Sequence, residues 1–351
     1  MLMDIKVKFL ARGITYNGKS TQFSRMLPGS SLKWGNCLFS FDIDDTDYDW
    51  LVVYHDIPGK DSLIIEQPVH CPRDRTILVT PEPSSITVYG RDYVKQFGMV
   101  ITFQEPWALP HPNRRYRAPG LIWYYAYSFE HDTCDGYDKL LAEQPEKTRL
   151  LSTMCSTRTG NVTLHSKRLD FSRQLQKDLP ELDVFGHGWR KIDDKAEALR
   201  PYRYHIVVEN HIAPHHLTEK LPDAFLGFTL PFYHGAPNAS DYFPKDSFIP
   251  IDITNYSATL DIIKSHIAGN EFEDRLPYIR EARKRVFTDL NIFSIVAAEI
   301  NASQAPAGQA LRPGVLRNRS TMRLKNPFVA IRNLSEKVYI KSRHRLFSIL
   351  G

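Results

Sequence analysis

Residues 202–235 read YRYHIVVENHIAPHHLTEKLPDAFLGFTLPFYHG and predict a strand, a helix and a second strand. The apolar run RYHIVVEN is typical of a buried strand, and TLPFYHG indicates another. Between them, LTEKLPDAFLGF is typical of a helix. Strands that alternate with helices predict a parallel, doubly wound sheet. The stretch therefore favours an α/β fold for this half of the chain.

The same alternation continues upstream. KTRLLSTMCST and LDVFGHG predict strands, and SKRLDFSRQLQKDL predicts a largely charged helix. Residues 1–145 give shorter strand-like runs: IKVKFLA, CLFSF, WLVVYHD, TILVT and MVITF. A chain of 351 residues is long enough for two medium domains. We place their join in AEQPEKT, which predicts domains over 1–145 and 146–310 and a tail over 311–351.

Charge is distributed unevenly along the chain. The formal net charge is +5, but residues 312–351 hold ten Lys/Arg and one acid, so this tail is +9 and the rest is −4. No apolar run reaches the roughly 18 residues that a membrane span needs, and the N-terminus lacks the pattern of a signal peptide. The four cysteines form no CxxC pair, which favours buried thiols over disulfides or a zinc ribbon. These features predict a cytoplasmic protein.

Polar residues end the first of these strands and open the following helix. Glu209 and Asn210 come at the carboxyl end of RYHIVVEN, where doubly wound sheets bind ligands. Thr218 is a candidate N-cap, with Glu219 and Lys220 in the first helical turn. A helix N-terminus and a lysine suit a diphosphate, and a glutamate can accept hydrogen bonds from a ribose diol. The alternative is that the acid only stabilises the helix and that the lysine is solvated.

The region 202–252 resembles the donor-binding core of the family 10 glycosyltransferases, the α-1,3/α-1,4-fucosyltransferases known from bacteria. That core has a strand ending in Phe-Glu-Asn, a Val-Thr-Glu-Lys segment, a strand leading to a Gly-Pro loop, and an Asp-Ser-Phe segment. The matching positions are Tyr202, Glu209, Asn210, Thr218, Glu219, Lys220, Pro231, Gly235, Pro237, Ser247 and Phe248. The resemblance can be followed from about residue 76 to 253. It implies a GT-B-like α/β fold, with two Rossmann-like domains facing a cleft, followed here by the basic tail.

The resemblance also implies roles for the residues at the strand end and the helix start. Glu219 would hold the ribose hydroxyls of the donor nucleotide, and Lys220 its diphosphate. Glu209 and Asn210 would lie beside them as further donor-binding residues. No metal and no cofactor other than the donor substrate is implied, because the resembling family needs none.

An upstream arginine contacts the diphosphate in the resembling family, in an Arg-x-x-Phe-like segment. Arg168 takes this position in SKRLDFSRQL, and Lys167 and Arg173 are its rivals. The chain departs from the family at His216, where an aromatic residue, usually tyrosine, is common three residues before the glutamate. The implied donor is therefore GDP-fucose, with a different nucleotide sugar as the alternative.

An inverting sugar transfer needs a general base for the acceptor hydroxyl. In the resembling family this base is a glutamate in a turn just after a strand, and Glu82 of TILVTPEPSSITVYGRDYVKQF takes that position. Glu105 of TFQEPW also ends a strand and is the runner-up. A solvated turn acid is the alternative for both. Aromatic residues that could stack on an acceptor sugar, or pack in the core instead, are Trp107, Trp123, Tyr124 and Tyr125.

Two other patterns compete with this interpretation. In CLFSFDIDDTD, Asp42 and Asp44 match the Asp-x-Asp-x-Thr loop of magnesium-dependent, haloacid-dehalogenase-like phosphohydrolases. The next strand begins too soon for the flap and helix of that fold, which favours an acidic turn. His211, His215 and His216 suggest zinc ligands, but Pro214 interrupts the helix that would align them, so a loop lining the donor pocket is favoured.

The basic tail, residues 312–351, mixes cationic and apolar positions without one clean helical stripe. Its charge suits an anionic membrane surface, where lipid-linked acceptors are found. A tail without a partner is the alternative, and no recognisable nucleic-acid module is present. The sequence therefore predicts a cytoplasmic inverting fucosyltransferase, peripheral at the inner face of the membrane. Its acceptor would be a glycan of the N-acetylglucosamine-containing lipopolysaccharide or O-antigen type.

Overall fold

The chain forms two compact units, the first comprising Met1–Pro119 with Ile292–Gly351 and the second Gly120–Asn291. The computed structural model describes residues 4–11, 21–59, 64–157, 165–303 and 314–350. This division differs from the predicted domains at both ends of the second unit.

Residues 120–145 belong to the second unit because their backbone is bound there. Buried Asp223 accepts the N–H groups of Tyr124 and Tyr125, at 3.0 and 3.1 Å. Arg283 donates to the carbonyl oxygen of Leu141 at 3.3 Å. The compositional change near residue 145 therefore marks no boundary between units.

The first unit is built around a seven-stranded sheet. Its strands and helices before residue 120 are β1 Ile5–Ala11, β2 Lys33–Trp34, β3 Cys37–Ser40, β4 Trp50–Tyr54, β5 Glu66–Val69, β6 Thr76–Thr80, β7 Met99–Thr102, β8 Arg114–Tyr116, α1 Thr21–Ser24 and α2 Arg91–Val94. The sheet order is β2-β3-β1-β4-β6-β7-β8; β2 and β3 are antiparallel and the other neighbours are parallel. β4, β6 and β7 are buried along their whole length, as expected for strands covered on both faces.

The second unit is built around a five-stranded parallel sheet of order β12-β11-β13-β14-β15. Its elements are β9 Tyr127–Ser128, β10 Thr133–Cys134, α3 Tyr137–Ala142, β11 Arg149–Met154, α4 His165–Asp178, β12 Leu182–Phe185, α5 Ala196–Leu199, β13 Tyr202–Val208, α6 Lys220–Leu226, β14 Leu230–His234, β15 Ile249–Pro250, α7 Tyr256–Ala268 and α8 Glu271–Phe287. β9 and β10 form a separate antiparallel pair. In register, Val208 lies opposite His234, so β13 and β14 end together. The loops that follow these two strands start side by side at the carboxyl edge.

The C-terminal segment returns to the first unit as α9 Ile292–Ala302, β16 Gly314–Arg317, α10 Arg319–Lys325 and α11 Pro327–Leu350. α9 enters the core, where Phe293 packs against the rings of Phe9 and Phe39. β16 pairs antiparallel with β5. The predicted separate tail is therefore wrong as a domain: these residues complete the first unit.

Helix α11 lies against α2 and the loop before it. Glu336 accepts the backbone N–H of Arg91 at 3.1 Å, and Arg332 pairs with Asp92 at 2.8 Å. Its opposite face carries apolar side chains that are each more than half exposed: Phe328, Ile331, Leu334, Val338, Tyr339 and Leu346. These residues recur about once a turn on the side away from the contact, so they form an apolar stripe. The sequence pattern alone did not reveal this stripe.

Both sheets confirm the predicted α/β class with two Rossmann-like units. In the described parts of the chain, no helix combines the length and apolar character needed to cross a bilayer.

Candidate functional site

Glu209 is the first residue beyond β13, and its carboxylate is fully enclosed, at 0% exposure. Its N–H donates to the carbonyl oxygen of His234 at 2.8 Å, which extends the pairing of β13 with β14 by one residue. The carboxylate accepts the N–H of Thr218 at 3.0 Å and its hydroxyl at 2.7 and 2.8 Å. The ammonium group of Lys220 lies 3.3 Å away. Glu209 therefore joins the strand end to the helix start, and its carboxylate has no exposed surface.

The predicted N-cap at Thr218 is displaced by one residue. Glu219 occupies the cap position and α6 begins at Lys220. The Thr218 hydroxyl donates its proton to the Glu209 carboxylate, and its oxygen accepts the N–H of Lys220 only at 3.4 Å. A buried carboxylate needs donors more than the helix end does, because an unpaired buried charge costs more than an uncapped N–H.

Four charged side chains from two segments, the residue before α5 and the start of α6, meet beside this helix start. Lys195 lies 3.2 Å from Glu219 and 2.8 Å from Asp223, and Lys220 lies 3.6 Å from Glu219. Glu219, Lys195 and Lys220 each keep a minor part of their side chain exposed, whereas Asp223 has none. The alternation of charge allows these groups to remain ionised together, and the exposed parts can reach a ligand.

Burial and the charges within this cluster set the pKa of each of its members. Burial by itself raises the pKa of Glu219, but Lys195 and Lys220 outweigh it and hold that pKa well below its usual range. Burial opposes the charged form of Lys220, but Glu209 and Glu219 outweigh it and raise the Lys220 pKa. For Asp223, burial prevails and raises the pKa in spite of Lys195. At neutral pH the exposed edge thus presents a carboxylate next to an ammonium group.

Lys195 and Asp223 are site residues that the sequence analysis missed. Asp223 holds the backbone of Tyr124 and Tyr125 with one carboxylate oxygen and Lys195 with the other. Lys195 also lies 5.0 Å from the centre of the Tyr124 ring. The sequence did carry one signal for this pair, the acid Asp223 inside the otherwise apolar LPDAFLGF. A carboxylate buried in a helix requires a cationic partner.

Arg168, on α4, is brought to the same edge of the sheet. Its Nη1 donates to the side-chain oxygen of Asn210 at 2.7 Å. The guanidinium is buried, and its Nε has no hydrogen-bond partner among the described residues. Lys167 and Arg173, the rival positions, are exposed on the same helix. Among the three cations, only Arg168 is placed beside a predicted site residue in the described structure.

The histidines of the loop between β13 and α6 make internal hydrogen bonds. His216 is buried, its Nδ1 lies 2.7 Å from the carbonyl oxygen of His211, and burial lowers its pKa to about 4. His215 adopts a positive φ of 64°, and its N–H donates to Asn238 at 2.7 Å. Its ring nitrogen lies 2.5 Å from the hydroxyl of Tyr242. In the described ranges, no three His, Cys, Asp or Glu side chains are grouped so that they could hold a metal ion.

The two candidate base residues lie at the carboxyl edge of the sheet in the first unit. β6 and β7 end with Thr80 opposite Thr102, and their hydroxyls are 2.6 Å apart. Glu82 follows β6 by two residues and Glu105 follows β7 by three, and both are half-buried. Gln104 donates to the carbonyl oxygen of Glu82 at 2.7 Å and fixes the loop. Both carboxylates therefore lie on anchored loops at the carboxyl edge, where open parallel sheets generally bind ligands.

The acidic run after β3 forms a turn. The N–H of Asp44 donates to the Asp42 carboxylate at 2.9 Å, which is an Asx-turn contact. Lys8 donates to the carbonyl oxygens of Ile43 and Asp45 at 2.6 and 2.7 Å. The backbone carbonyl groups of this acidic segment thus face Lys8, which agrees with the interpretation of the segment as an acidic turn between strands.

The candidate stacking residues divide into two groups. Trp123 and Tyr125 are almost completely buried and pack in the core of the second unit. Tyr124 and Trp107 are half-buried. The guanidinium carbon of Arg343 lies 4.3 Å from the centre of the Trp107 ring. Core packing therefore accounts for the first pair only.

Comparisons with known proteins bear on the second unit. Residues 144–267 match the model of the glycosyltransferase family 10 (fucosyltransferase) C-terminal region. An alpha-(1,3)-fucosyltransferase of Helicobacter pylori is 32% identical over 87 residues, which is 24% of this chain and 18% of that protein. A putative fucosyltransferase-like protein of Arabidopsis thaliana is 29% identical over 119 residues, 33% of this chain and 23% of its own length. The matched part is thus less than a quarter of either relative.

Solved structures give a broader but looser likeness. A crystal structure of an alpha1,3-fucosyltransferase with GDP-fucose is 17% identical, with a TM-score of 0.45, and the match covers 88% of this chain and 93% of the other. A second alpha1,3-fucosyltransferase structure gives 17% identity and a TM-score of 0.49, covering 85% and 90%. The residues around Glu219 and Lys220, with Arg168 and Asn210, all lie within the family match. The predicted resemblance is confirmed there, because residues 144–267 match the C-terminal region of the glycosyltransferase family 10 model.

Proposed function

We propose that the chain is an inverting glycosyltransferase that moves fucose from GDP-fucose to a hydroxyl group of a glycan. The observation that carries the proposal is the placement of Lys195 and Lys220 against Glu219, with Arg168 bound to Asn210 at the carboxyl edge of the same parallel sheet, all within the family match. A nucleoside diphosphate presents two anionic phosphates and a ribose diol. Cations next to a carboxylate acceptor complement both features.

In this proposal the second unit holds the donor. Lys220 and Arg168 bind the diphosphate and neutralise the charge that develops as GDP departs. Glu219, kept ionised by its two lysines, accepts hydrogen bonds from the ribose hydroxyls. Asn210 orients Arg168, and Glu209 orients Lys220. His216 lies behind this edge and bears on donor choice through the shape of the loop; a different nucleotide sugar is the alternative donor.

The first unit supplies the acceptor side. Glu82 takes the proton of the acceptor hydroxyl as that oxygen attacks the anomeric carbon from the face opposite the diphosphate. Inversion follows from this single displacement, through an oxocarbenium-like state. Glu105 is the alternative base. The proposal needs no metal, because protein cations carry the leaving-group charge.

Paired variants test the base assignment. Glu82→Gln and Glu105→Gln are compared in GDP-fucose turnover with a panel of N-acetylglucosamine-containing glycans and in calorimetric GDP binding. We expect E82Q to lose transfer by about 100-fold or more while its GDP affinity stays unchanged, since one proton transfer contributes that much. Full transfer by E82Q together with loss in E105Q would move the role to Glu105. Full transfer by both would contradict the acceptor-side assignment.

We also propose that α11 brings the enzyme to an anionic membrane surface that presents lipopolysaccharide or O-antigen precursors. The support is the exposed apolar stripe on α11, flanked by cations such as Lys337 and Arg345. Co-sedimentation with vesicles containing anionic lipid tests it, and Ile331→Glu with Leu334→Glu should release the protein. Equal binding by this variant would contradict the membrane proposal without affecting the transfer reaction.

A further inference from the structure

His344, on the C-terminal helix, joins a hydrogen-bond chain that ends on one of the two acceptor-side carboxylates. Its Nε2 lies 2.7 Å from the Ser84 hydroxyl oxygen, and Ser84 donates to Glu105 at 2.6 Å. Ser84 is fully buried, and His344 and Glu105 are half-buried. This series of hydrogen bonds therefore runs from α11 through the buried Ser84 to the edge of the sheet.

Counting protons fixes the direction of this chain. A serine hydroxyl has one proton, and an ionised carboxylate can only accept. Ser84 must therefore give its proton to Glu105, so the serine oxygen has only acceptor sites left for the imidazole. His344 must donate its Nε2–H to that oxygen. A group without a donor at this position would remove the contact that the serine oxygen accepts, so the hydroxyl would be held toward Glu105 by one hydrogen bond only.

The two carboxylate loops are also tied to each other. Ser84 lies two residues after Glu82 and binds Glu105, whereas Gln104 lies one residue before Glu105 and binds the backbone of Glu82. Because each loop is hydrogen-bonded to the other, displacement of one loop displaces the other. His344 contacts Ser84 of this pair of loops, and the centre of its ring lies 5.2 Å from the centre of the Trp107 ring.

We propose that His344 is a positioning residue for the Glu82–Glu105 pair, acting through Ser84, so that α11 contributes to the acceptor side of the reaction. The inference deepens the proposed function and depends on it. It concerns the donor N–H of the imidazole, not the bulk of the ring. The two aspects can be separated, because phenylalanine keeps the ring against Trp107 without an N–H, and glutamine keeps an N–H donor without the ring.

The test compares His344→Phe, His344→Gln and Ser84→Ala in steady-state fucose transfer, with kcat and the KM for GDP-fucose measured separately. We expect H344F and S84A each to lower kcat by roughly 10- to 100-fold, as expected for misplaced catalytic groups, with an unchanged KM for the donor. H344Q should retain kcat within about three-fold, and the S84A/H344F double variant should lose no more than either single one. Glu336→Gln is the matched control: it weakens another contact of the same helix, with Arg91, and should leave kcat near the wild-type value.

Several outcomes would overturn the inference. H344F with wild-type kcat would show that the N–H is not used, and an equal loss in H344Q and H344F would assign the effect to packing. An equal loss in E336Q would assign it to loosening of α11. Each of these leaves fucose transfer by the wild-type chain intact. A wild-type chain that transfers no fucose would overturn the proposed function and this inference with it.

Discussion

Lys195 shows how much of the site depends on one side chain. It is the cation that contacts the completely buried carboxylate of Asp223, at 2.8 Å, and it also lies beside Glu219. We expect Lys195→Met to lower the free energy of unfolding by about 3 kcal/mol, because it strands a buried charge. Adding Asp223→Asn should recover about half of this loss or more, since the amide keeps its backbone contacts. Urea denaturation measures both, and Lys191→Met, at an exposed ion pair, should change stability by less than about 0.5 kcal/mol.

The same residue marks the limit of prediction at this scale. The position of Glu219, Lys220 and Asn210 at the carboxyl edge could be predicted because strand ends and helix starts have a known place in a parallel sheet. Lys195 could not, because its partners lie 24 and 28 residues away along the chain and meet it only in the folded unit. No local spacing encodes such a contact. Ser84 and His344 are a stronger case, since 260 residues separate them.

At the scale of elements, the Glu209–Thr218 contact fastens β13 to α6. Thr218→Val removes the hydroxyl that donates to the buried carboxylate but keeps the shape of the side chain. We expect a loss of about 2 kcal/mol in the free energy of unfolding, because a buried charge loses a donor. Thr218→Ser retains the hydroxyl and should lose less than about 1 kcal/mol. Similar denaturation curves for the two variants would contradict this account of the contact.

Elements with a strong local pattern could be predicted, and elements defined by docking could not. Most strands of the two sheets and the helix after Thr218 appear where the apolar runs place them, whereas the short edge strands β2, β8 and β15 had no such run. Helix α11 has a polar contact face, through Arg332 and Glu336, and an exposed apolar face. The exposed apolar face departs from the usual amphipathic pattern, in which apolar side chains are buried as Ile340 is on this helix. The sequence therefore suggested a free tail where the chain has a docked helix.

At the scale of the whole molecule, two buried histidines should make stability depend on pH. Burial lowers the pKa of His205 to about 3 and that of His216 to about 4, against about 6.5 in an unfolded chain. Below pH 6.5 the unfolded state takes up protons that the folded state does not, so stability is complete above this pH and falls as the pH decreases. At pH 5 each histidine should cost about 2 kcal/mol relative to pH 7.5.

Variants that keep a hydrogen-bonding group test this dependence. His205→Asn and His216→Asn retain a polar group near Nδ1 but cannot titrate, so the double variant should be more resistant to urea at pH 5, relative to pH 7.5, than the wild type. His131→Asn, at an exposed position, should follow the wild type. A double variant that loses stability between these pH values as steeply as the wild type would show that other groups set the acid response.

The division into units also belongs to this scale. A change of pattern near residue 145 is visible in the sequence, whereas the return of α9 to the core of the first unit is not. That return depends on Phe293 packing against Phe9 and Phe39, more than 250 residues earlier in the chain. Local composition carries no information on such a contact, so the domains could be counted but not delimited.

The central claim, that the edge around Lys220 binds GDP-fucose, is tested most directly by calorimetric titration of the wild type and Lys220→Met with GDP-fucose. The account predicts binding by the wild type and a roughly 10- to 100-fold weaker affinity in K220M, the loss expected for a charge-assisted contact to phosphate. Lys191→Met serves as the control, and thermal unfolding confirms that each variant is folded at the titration temperature. Wild-type binding of UDP but not of GDP-fucose, or equal GDP-fucose affinity in K220M and the wild type, would contradict the claim.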